Sequence, residues 1–282
     1  MHTPRISLVL SALTASCLVA LAPMGCAPKA RTMGSLPCAG EIHANPVDAQ
    51  RDLKARVAAQ PSNSDALLCL AYSQIALKQY AEAIDTANRA FAIDQRNALA
   101  IRMRAFALYR SGEFNKAIAD AQLANLIAPC GENSEIIGKC YMRLKHYSPA
   151  ASAFARWAAE ANSTEALCWR GAALWESGDQ AGALKGWEQA ELAAPKDPEP
   201  FIWKSGFLYI AGDHAGALGA AQRAVELAPD SAQALGTLAR VQHWQGDLTG
   251  AAATVERLAK SNPTAAQHLA EALRTTKPAG KS

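Results

Sequence analysis

Apolar and polar residues follow a helical pattern from Pro46 to about Thr276, and the pattern itself repeats every 33 or 34 residues. The clearest marker is one alanine in each unit: Ala83, Ala117, Ala150, Ala183, Ala217 and Ala251. Twelve residues earlier, each unit has another small residue: Ala71, Ala105, Gly138, Gly171, Ser205 and Ala239. Small side chains are expected at fixed points where two helix backbones cross closely. The pattern therefore predicts six helix–turn–helix units and an all-α chain.

A glycine followed by an acid marks the turn inside most units, and one of these pairs precedes a histidine. The pairs are Gly112-Glu113, Gly178-Asp179, Gly212-Asp213 and Gly246-Asp247. His214, after the third pair, would suit a catalytic imidazole oriented by a carboxylate. The equivalent residues in other units are Phe114, Gln180 and Leu248, which cannot do that chemistry. We therefore interpret the glycine as a left-handed helix end, the acid as the cap of the next helix, and His214 as a turn residue.

These columns of small residues and turns resemble the tetratricopeptide repeat (TPR) family, whose period is 34 residues. The six repeats are expected to begin near Ser64, Ala98, Gly131, Thr164, Pro198 and Ala232, and to cover residues 64–265. The resemblance implies a right-handed superhelix, or α-solenoid. Terminal repeats need polar caps, and we expect capping helices over residues 47–60 and 264–276. Residues 277–282 are expected to form a disordered tail.

The N-terminal residues differ from the repeats. Arg5 is followed by an uncharged apolar run from Ile6 to Ala22, which is typical of a signal peptide. Gly25-Cys26 resembles the end of a bacterial lipobox, so we expect a lipoprotein-type signal over residues 1–25 and lipidation of Cys26. Ordinary signal cleavage nearby is the alternative. Residues 26–46 are rich in Pro, Gly and Ala without periodicity, and are interpreted as a flexible tether.

Composition narrows the classes of function. Half of the residues are apolar but only 6% are aromatic, so alanine-rich helices are expected to supply the core. The formal net charge is +3, both signs are mixed along the chain, and no basic block of the kind that follows nucleic-acid phosphates occurs. No nucleotide-binding, metalloprotease or serine-hydrolase motif is present. We therefore expect no enzyme activity, cofactor, metal site or nucleic-acid partner.

Five cysteines follow Cys26 in the sequence: Cys38, Cys69, Cys130, Cys140 and Cys168. An exported protein meets oxidising conditions, so disulfides can form, but no spacing identifies a pair or a metal site. Cys69, Cys140 and Cys168 fall in apolar helical patterns and are interpreted as buried thiols. Because five is odd, at least one thiol is expected to stay free or to pair outside the chain.

Aromatic residues are concentrated on one predicted surface. By resemblance to the family, a fixed set of positions on each first helix faces the concave side of the superhelix. The groove expected there consists of Tyr72, Phe106, Tyr109, Arg110, Met142, Arg143, Trp175, Tyr209, Arg240, His243 and Trp244. Such a bias in an aromatic-poor chain indicates a surface that binds a peptide or a partner helix. The alternative is that these side chains pack against neighbouring helices.

These features predict a non-enzymatic interaction scaffold of the bacterial cell envelope, with a protein or peptide partner and a lipid anchor in the membrane. The resemblance implies an outer-membrane lipoprotein facing the periplasm that helps to assemble a pilus, a secretion system or outer-membrane machinery. A soluble periplasmic protein is the alternative for the location. For the function, the alternative is an envelope enzyme accessory or a glycan-binding protein that uses the tryptophan-lined surface.

Overall fold

The computed structural model describes residues 31–275, which form α-helices and one short 3₁₀ helix and contain no strand. The 3₁₀ helix is Met33–Ser35. The α-helices are α1 (Ala39–Ala44), α2 (Pro46–Ala59), α3 (Ser64–Ala76), α4 (Tyr80–Ile93), α5 (Ala98–Ser111), α6 (Phe114–Ile127), α7 (Gly131–Arg143), α8 (Tyr147–Ala161), α9 (Thr164–Glu176), α10 (Gln180–Ala193), α11 (Glu199–Ile210), α12 (His214–Leu227), α13 (Ala232–Trp244), α14 (Leu248–Ser261) and α15 (Pro263–Thr275).

The helices pack in chain order, each against the one before and the one after it, from α2 to α15. Helices α3 to α14 form six antiparallel pairs, and the first helices of most neighbouring pairs also contact each other. This arrangement is an α-solenoid, in which each repeat buries its apolar face against its neighbours. The all-α repeat fold predicted from the 34-residue pattern is confirmed.

Local chemistry explains the turn inside each repeat. Gly112, Gly178, Gly212 and Gly246 all have φ between +84° and +92°, a conformation that costs glycine little. In the last three repeats the next residue, an aspartate, accepts a hydrogen bond of 2.8–2.9 Å from the backbone N–H three residues later. His214 is the first residue of α12, directly after one of these capping aspartates. In the first and third repeats a lysine, Lys78 or Lys145, takes the left-handed conformation instead.

Small residues lie where the two helices of a repeat contact each other, and the reason for the small size differs between repeats. Ala71, Ala105 and Ala239 are fully buried where the paired helices approach each other. In the third and fourth repeats the same position is glycine because an aromatic ring fills the space. A Cβ on Gly138 would lie 2.5 Å from the Phe154 ring, and one on Gly171 would lie 2.5 Å from the Trp187 ring. A large aromatic ring on the second helix of the pair is therefore accommodated by a glycine on the first helix.

The predicted flexible tether over residues 26–46 needs correction in its described part. Residues from 31 onward form the 3₁₀ helix and α1, and they bury Leu36 and Ile42 in the core cluster shared with α2 and α3. A disulfide joins Cys38 to Cys69 on α3, so the interpretation of Cys69 as a free buried thiol is also wrong. Tertiary contacts order this segment, since its own sequence has no helical period.

Among residues 31–275 three thiols remain free: Cys130, which is half-buried, and Cys140 and Cys168, which are buried. Burial raises the pKa of both Cys140 and Cys168 to about 12. The predicted signal peptide, the lipidation site Cys26 and the predicted tail over residues 277–282 lie outside the described residues. Within residues 31–275, no helix combines the length and apolar character needed to cross a membrane.

Candidate partner-binding surface

The first helices of the repeats, α3, α5, α7, α9, α11 and α13, form one layer, which we call the inner face. Contacts join α3 to α5, α5 to α7, α9 to α11 and α11 to α13, whereas the second helices of neighbouring repeats lie farther apart in the described chain. The inner face therefore corresponds to the concave side expected from the resemblance. We call α3, α5 and α7 its first half and α9, α11 and α13 its second half.

The second half contains an open apolar pocket between α11 and α13, with a volume of about 540 Å³. This α11/α13 pocket is lined by Ile202, Trp203, Gly206, Phe207, Tyr209, Ile210, Gln233, Thr237, Arg240, Val241 and Trp244. Ile210 at its edge is 74% exposed, which is unusual for an isoleucine. A concave, largely apolar site with a few polar groups is typical of surfaces that bind a ligand side chain.

The pocket is open because one residue on α11 has no side chain. A Cβ built on Gly206 meets no heavy atom within 4 Å, so the space in front of this position is empty. Its aromatic walls are held by ring contacts. Tyr209 lies between His214 and Trp244, with ring centroids 4.7 Å and 4.8 Å away. Trp203 stacks on Phe207 and donates its indole N–H to Glu199 at 2.9 Å. The aromatic side chains that line the pocket are therefore held in place, and the space at Gly206 between them is empty.

Arg240 is the one charged residue among those that line the pocket. Its guanidinium donates to the Thr237 hydroxyl at 3.3 Å and has no acidic partner among residues 31–275. Partial burial against the pocket wall lowers the pKa of Arg240, although an arginine stays charged at any physiological pH. Lys204, on the same helix as Gly206, is different because it pairs with Glu191 at 3.0 Å. The pocket therefore offers an apolar wall beside an unneutralised cation.

Trp175 belongs to a packed ring cluster at the start of the second half. Its ring centroid lies 6.1 Å from that of the fully buried Trp187 and 5.4 Å from that of Phe207, which reaches into the pocket. Next to this cluster, Trp169 and Trp203 of neighbouring first helices lie 5.0 Å apart. Trp175 thus supports the pocket wall from behind. Trp175 therefore has features of both alternatives, since one side of its ring packs against neighbouring helices and the ring is half-exposed on the inner face.

The first half of the inner face is covered by the chain's own N-terminal segment. We call residues 31–44 the strap. The strap begins at α5, where Arg102 donates to the carbonyl of Arg31. Two residues later, the backbone N–H of Met33 faces the Glu132 carboxylate of α7. The strap ends over α3, where His43 and Tyr72 share a hydrogen bond of 2.6 Å. Tyr72, one of the predicted groove residues, and Arg102 therefore lie beneath the strap.

Burial under the strap changes the electrostatics of the first half. Arg102 is fully buried, and its guanidinium also bonds the Asn133 amide at 2.7 Å and the Glu132 carboxylate at 3.2 Å. Desolvation raises the pKa of Glu132 against the opposing effect of Arg102. Desolvation, assisted by Glu132, also raises the pKa of Tyr72. These groups are thus withdrawn from solvent.

The remaining predicted groove residues lie between these two regions or beyond them. Phe106 and Tyr109 are half-buried neighbours with ring centroids 6.2 Å apart. Arg110 lies over the rings of Tyr80 and Phe106, and Arg143 lies over Phe114, at 5.5–5.8 Å. Met142 packs against the core cluster around Phe154. His243 faces a separate apolar depression between α14 and α15.

Three of the predicted residues, Tyr209, Arg240 and Trp244, meet in the α11/α13 pocket, but half of its wall was not predicted. Trp203 and Phe207 lie one position further along the helix than the expected groove positions. Their spacing of four residues, with Trp169 one repeat earlier, is the sequence signal that could have identified them. The described residues contain no group of three or more His, Cys, Asp or Glu that could hold a metal ion.

Comparison with solved structures places the fold among repeat proteins. The chain is similar to PilW, a widely conserved type IV pilus biogenesis factor, with a TM-score of 0.59 at 19% identity over 73% of this chain and 98% of that one. It is similar to YrrB, a TPR protein with an unusual peptide-binding site, with a TM-score of 0.51 at 17% identity over 66% and 97%.

A third similar structure is the APC/C hetero-tetramer Cut9-Hcn1, with a TM-score of 0.59 at 16% identity. The alignment covers 86% of this chain but only 48% of that one, so this chain spans about half of its length. At these identities the likenesses show the fold and not the function. No curated protein sequence matches the chain.

Family models described as tetratricopeptide repeat match residues 44–98, 137–198 and 208–274, which together make up more than half of the chain. The matched segments contain the α13 side of the α11/α13 pocket with Tyr209 and Ile210, whereas residues 199–207 of α11 lie between two matched segments. With the repeat period, the Gly-Asp turns and the solenoid packing, this match shows that the chain belongs to the tetratricopeptide repeat family.

Proposed function

We propose that this chain is a non-enzymatic interaction scaffold that captures a partner protein in the α11/α13 pocket. Binding of protein or peptide partners is the general role of TPR proteins, and the geometry of the α11/α13 pocket supports this surface as the binding site. The observation that carries the proposal is the coincidence of an empty apolar space at Gly206 with Arg240 at its edge, which has no acidic partner in the described part of the chain. The ligand that fits this chemistry is a partner segment with a large apolar side chain next to a carboxylate.

The energetics favour a short linear segment. Burying one leucine- or phenylalanine-sized side chain contributes about 1.5–3 kcal/mol. A hydrogen bond between a charged group and Arg240 adds about 1.5–3 kcal/mol where the guanidinium is partly withdrawn from water. The walls are already in place, so little ordering cost falls on the protein. These two contacts together supply about 3–6 kcal/mol of the roughly 8 kcal/mol that micromolar binding requires, so a few further residues of the partner must also contact the inner face.

Space-filling variants test the pocket directly. In Gly206→Leu, the new side chain occupies empty space, so the helix is kept and the pocket is closed. Gly219→Leu is the matched control, because Gly219 also lies within a helix and its Cβ also meets nothing within 4 Å, but it lies on α12 away from the pocket. The probe is a phage-displayed peptide library, with the selected peptides synthesised and titrated by calorimetry.

We expect the library to yield peptides with Trp, Phe or Leu beside Asp or Glu. These peptides should lose at least tenfold in affinity for Gly206→Leu and keep it for Gly219→Leu. Equal binding to both variants would refute the pocket. Binding of oligosaccharides from a glycan array that Gly206→Leu abolishes, without any peptide selected, would instead support the glycan-binding alternative.

For the cellular context, we infer an envelope lipoprotein that presents this pocket to a partner during assembly of an envelope complex such as a pilus, a secretion system or outer-membrane machinery. The apolar run Ile6 to Ala22 followed by Gly25-Cys26 supports export and lipidation, and Ala27-Pro28 supports the outer membrane, facing the periplasm. The likeness in fold to a pilus biogenesis factor agrees with an assembly role. A soluble periplasmic protein is the alternative location.

Substitution of the lipidation site separates these locations. Cys26→Ser should abolish labelling with a radioactive fatty acid and move the protein from the membrane fraction to the soluble periplasmic fraction, because several acyl chains anchor a lipoprotein. Cys130→Ser is the control and should change neither result. An unlabelled wild-type chain in the soluble fraction would favour the alternative.

A further inference from the structure

The strap is held on the inner face by the kinds of contact that hold a bound peptide. Its buried anchors are Leu36 and Ile42, which are 4% and 1% exposed. Its backbone accepts a hydrogen bond from Arg102, and its last residues reach the Tyr72 hydroxyl through His43. Its first residue pairs with Asp65 at 3.0 Å, although this pair is half-exposed and contributes little.

The repeat fold has another element for the capping role. Helix α2 already covers the open side of α3, with Leu53 and Val57 buried, and it follows the strap in the chain. From Met33 to Arg31 the strap extends past this cap to α5 and α7, across repeats that need no cap. This part of the strap therefore lies where a ligand would lie.

We propose that the strap is a ligand in cis, which closes the first half of the inner face while the Cys38–Cys69 disulfide is intact and opens it as a second binding surface when the disulfide has not formed. The opened surface would present the Asp65 carboxylate and the ion pair of Glu132 with Arg102 beside the apolar sites of Leu36 and Ile42. Two carboxylates against one guanidinium leave a net negative charge, so the surface fits a basic, leucine- or isoleucine-containing segment, the opposite charge preference to that of the α11/α13 pocket.

The disulfide determines whether the strap covers the inner face, because it joins the strap covalently to α3. It forms by exchange with an external disulfide, which takes up two electrons and leaves as two thiols while the thiols of Cys38 and Cys69 each lose a proton. The bond raises the stability of the strapped state roughly a hundredfold. Cys38 and Cys69 are then only 3% and 4% exposed, so the folded protein shields the bond from attack by thiols. Closure is thus decided when the chain folds.

Amide hydrogen exchange on the whole chain tests the release of the strap. In Cys38→Ser/Cys69→Ser, the amides of residues 39–44 should exchange at least tenfold faster than in the oxidised wild type, while those of α11 and α13 keep their rates. Cys130→Ser is the matched control and should leave residues 39–44 unchanged. Unchanged exchange of the strap in the double variant, or equal acceleration throughout the chain, would contradict a separable strap.

A labelled peptide then tests whether the surface beneath is a binding site. The probe is a fluorescein-labelled peptide with the sequence of residues 31–44 and serine in place of cysteine. The receiver is the full chain carrying Cys38→Ser, Cys69→Ser, Leu36→Asp and Ile42→Asp, with its helix content verified by circular dichroism. We expect saturable binding with a dissociation constant in the range of about 1–100 μM to this receiver and none to the oxidised wild type.

Addition of Asp65→Lys and Gly206→Leu to the receiver, one at a time, distinguishes the two surfaces. Asp65→Lys should weaken binding of the peptide several-fold, because it places a second cation beside Arg31 in addition to removing the weak ion pair. Gly206→Leu should not affect this binding. A folded receiver that does not bind the peptide would overturn the proposal, and the strap would then be a cap only. If the receiver fails to fold, the peptide is titrated against Cys38→Ser/Cys69→Ser instead. Its own strap competes at a high effective concentration, so the peptide is added to about 1,000 μM. No binding at that peptide concentration would count against the proposal.

Discussion

The two halves of the inner face are built from the same repeat and end in opposite states. In the first half, the strap covers Tyr72 and Arg102 and buries polar groups in a connected network. In the second half, the corresponding surface is empty at Gly206 and carries Arg240, which has no acidic partner within residues 31–275. The contrast teaches that a repeat supplies the helix layer, whereas access to that layer depends on a few residues that do not repeat.

The largest effect is expected on the stability of the first half. Cys38→Ser/Cys69→Ser should lower the free energy of unfolding by about 2–4 kcal/mol, because the disulfide no longer restricts the unfolded chain. The loss should be confined to the first repeats, as solenoids unfold in local units. Urea titration followed by hydrogen exchange of α3 and α11 measures each half. Equal losses in both helices would show that the halves are not independent.

Aromatic truncation should affect binding in one half only. Trp244→Ala removes a pocket wall and should weaken a pocket-selected peptide by roughly thirtyfold, or about 2 kcal/mol. Tyr72→Ala should leave that affinity unchanged in the oxidised protein, because the strap covers this position. Calorimetric titration of both variants with the same peptide decides the matter. A comparable loss in Tyr72→Ala would mean that the ligand reaches across both halves.

The charge of the pocket should matter less than its wall. Arg240→Glu should reduce affinity for an acidic peptide by roughly tenfold at low salt, about 1.4 kcal/mol, and the loss should shrink as salt is added. Arg143→Glu is the control from the first half, since Arg143 is exposed over Phe114 and outside the pocket. If Arg240→Glu leaves the affinity unchanged, the pocket binds its ligand through apolar contacts alone.

The smallest effect concerns pH. Because burial raises the pKa of Cys140 in the first half and of Cys168 in the second to about 12, both thiols stay protonated at neutral pH. A group with a raised pKa stabilises the fold below its unfolded pKa, and this contribution is lost only as the pH rises towards 12. Between pH 6 and 8 neither thiol should change stability. Mass spectrometry after iodoacetamide treatment should find Cys130 modified first, with Cys140 and Cys168 protected until each half unfolds.

Several residues of the candidate site could be predicted from the sequence, but which parts of the inner face are open and which are covered could not. Tyr209, Arg240 and Trp244 were expected on the inner face and lie in the pocket. Trp203 and Phe207 were not expected, because the helix presents a position adjacent to the family pattern. Tyr72 was expected to face an open groove and instead lies beneath the strap, because a segment without periodicity crosses it.

The repeat period, the helix pairs and the turns follow from the amino-acid sequence alone. They depend on contacts between residues close in the chain, and four to six copies of each recurring position distinguish a structural requirement from chance. The pairing of Cys38 with Cys69, the closure of the first half by the strap and the open second half are visible only in the three-dimensional fold. Each of these depends on one unrepeated contact between distant residues, or on the absence of a side chain at one position. No periodic signal records such events, because the free energy that decides them comes from volume and burial in three dimensions.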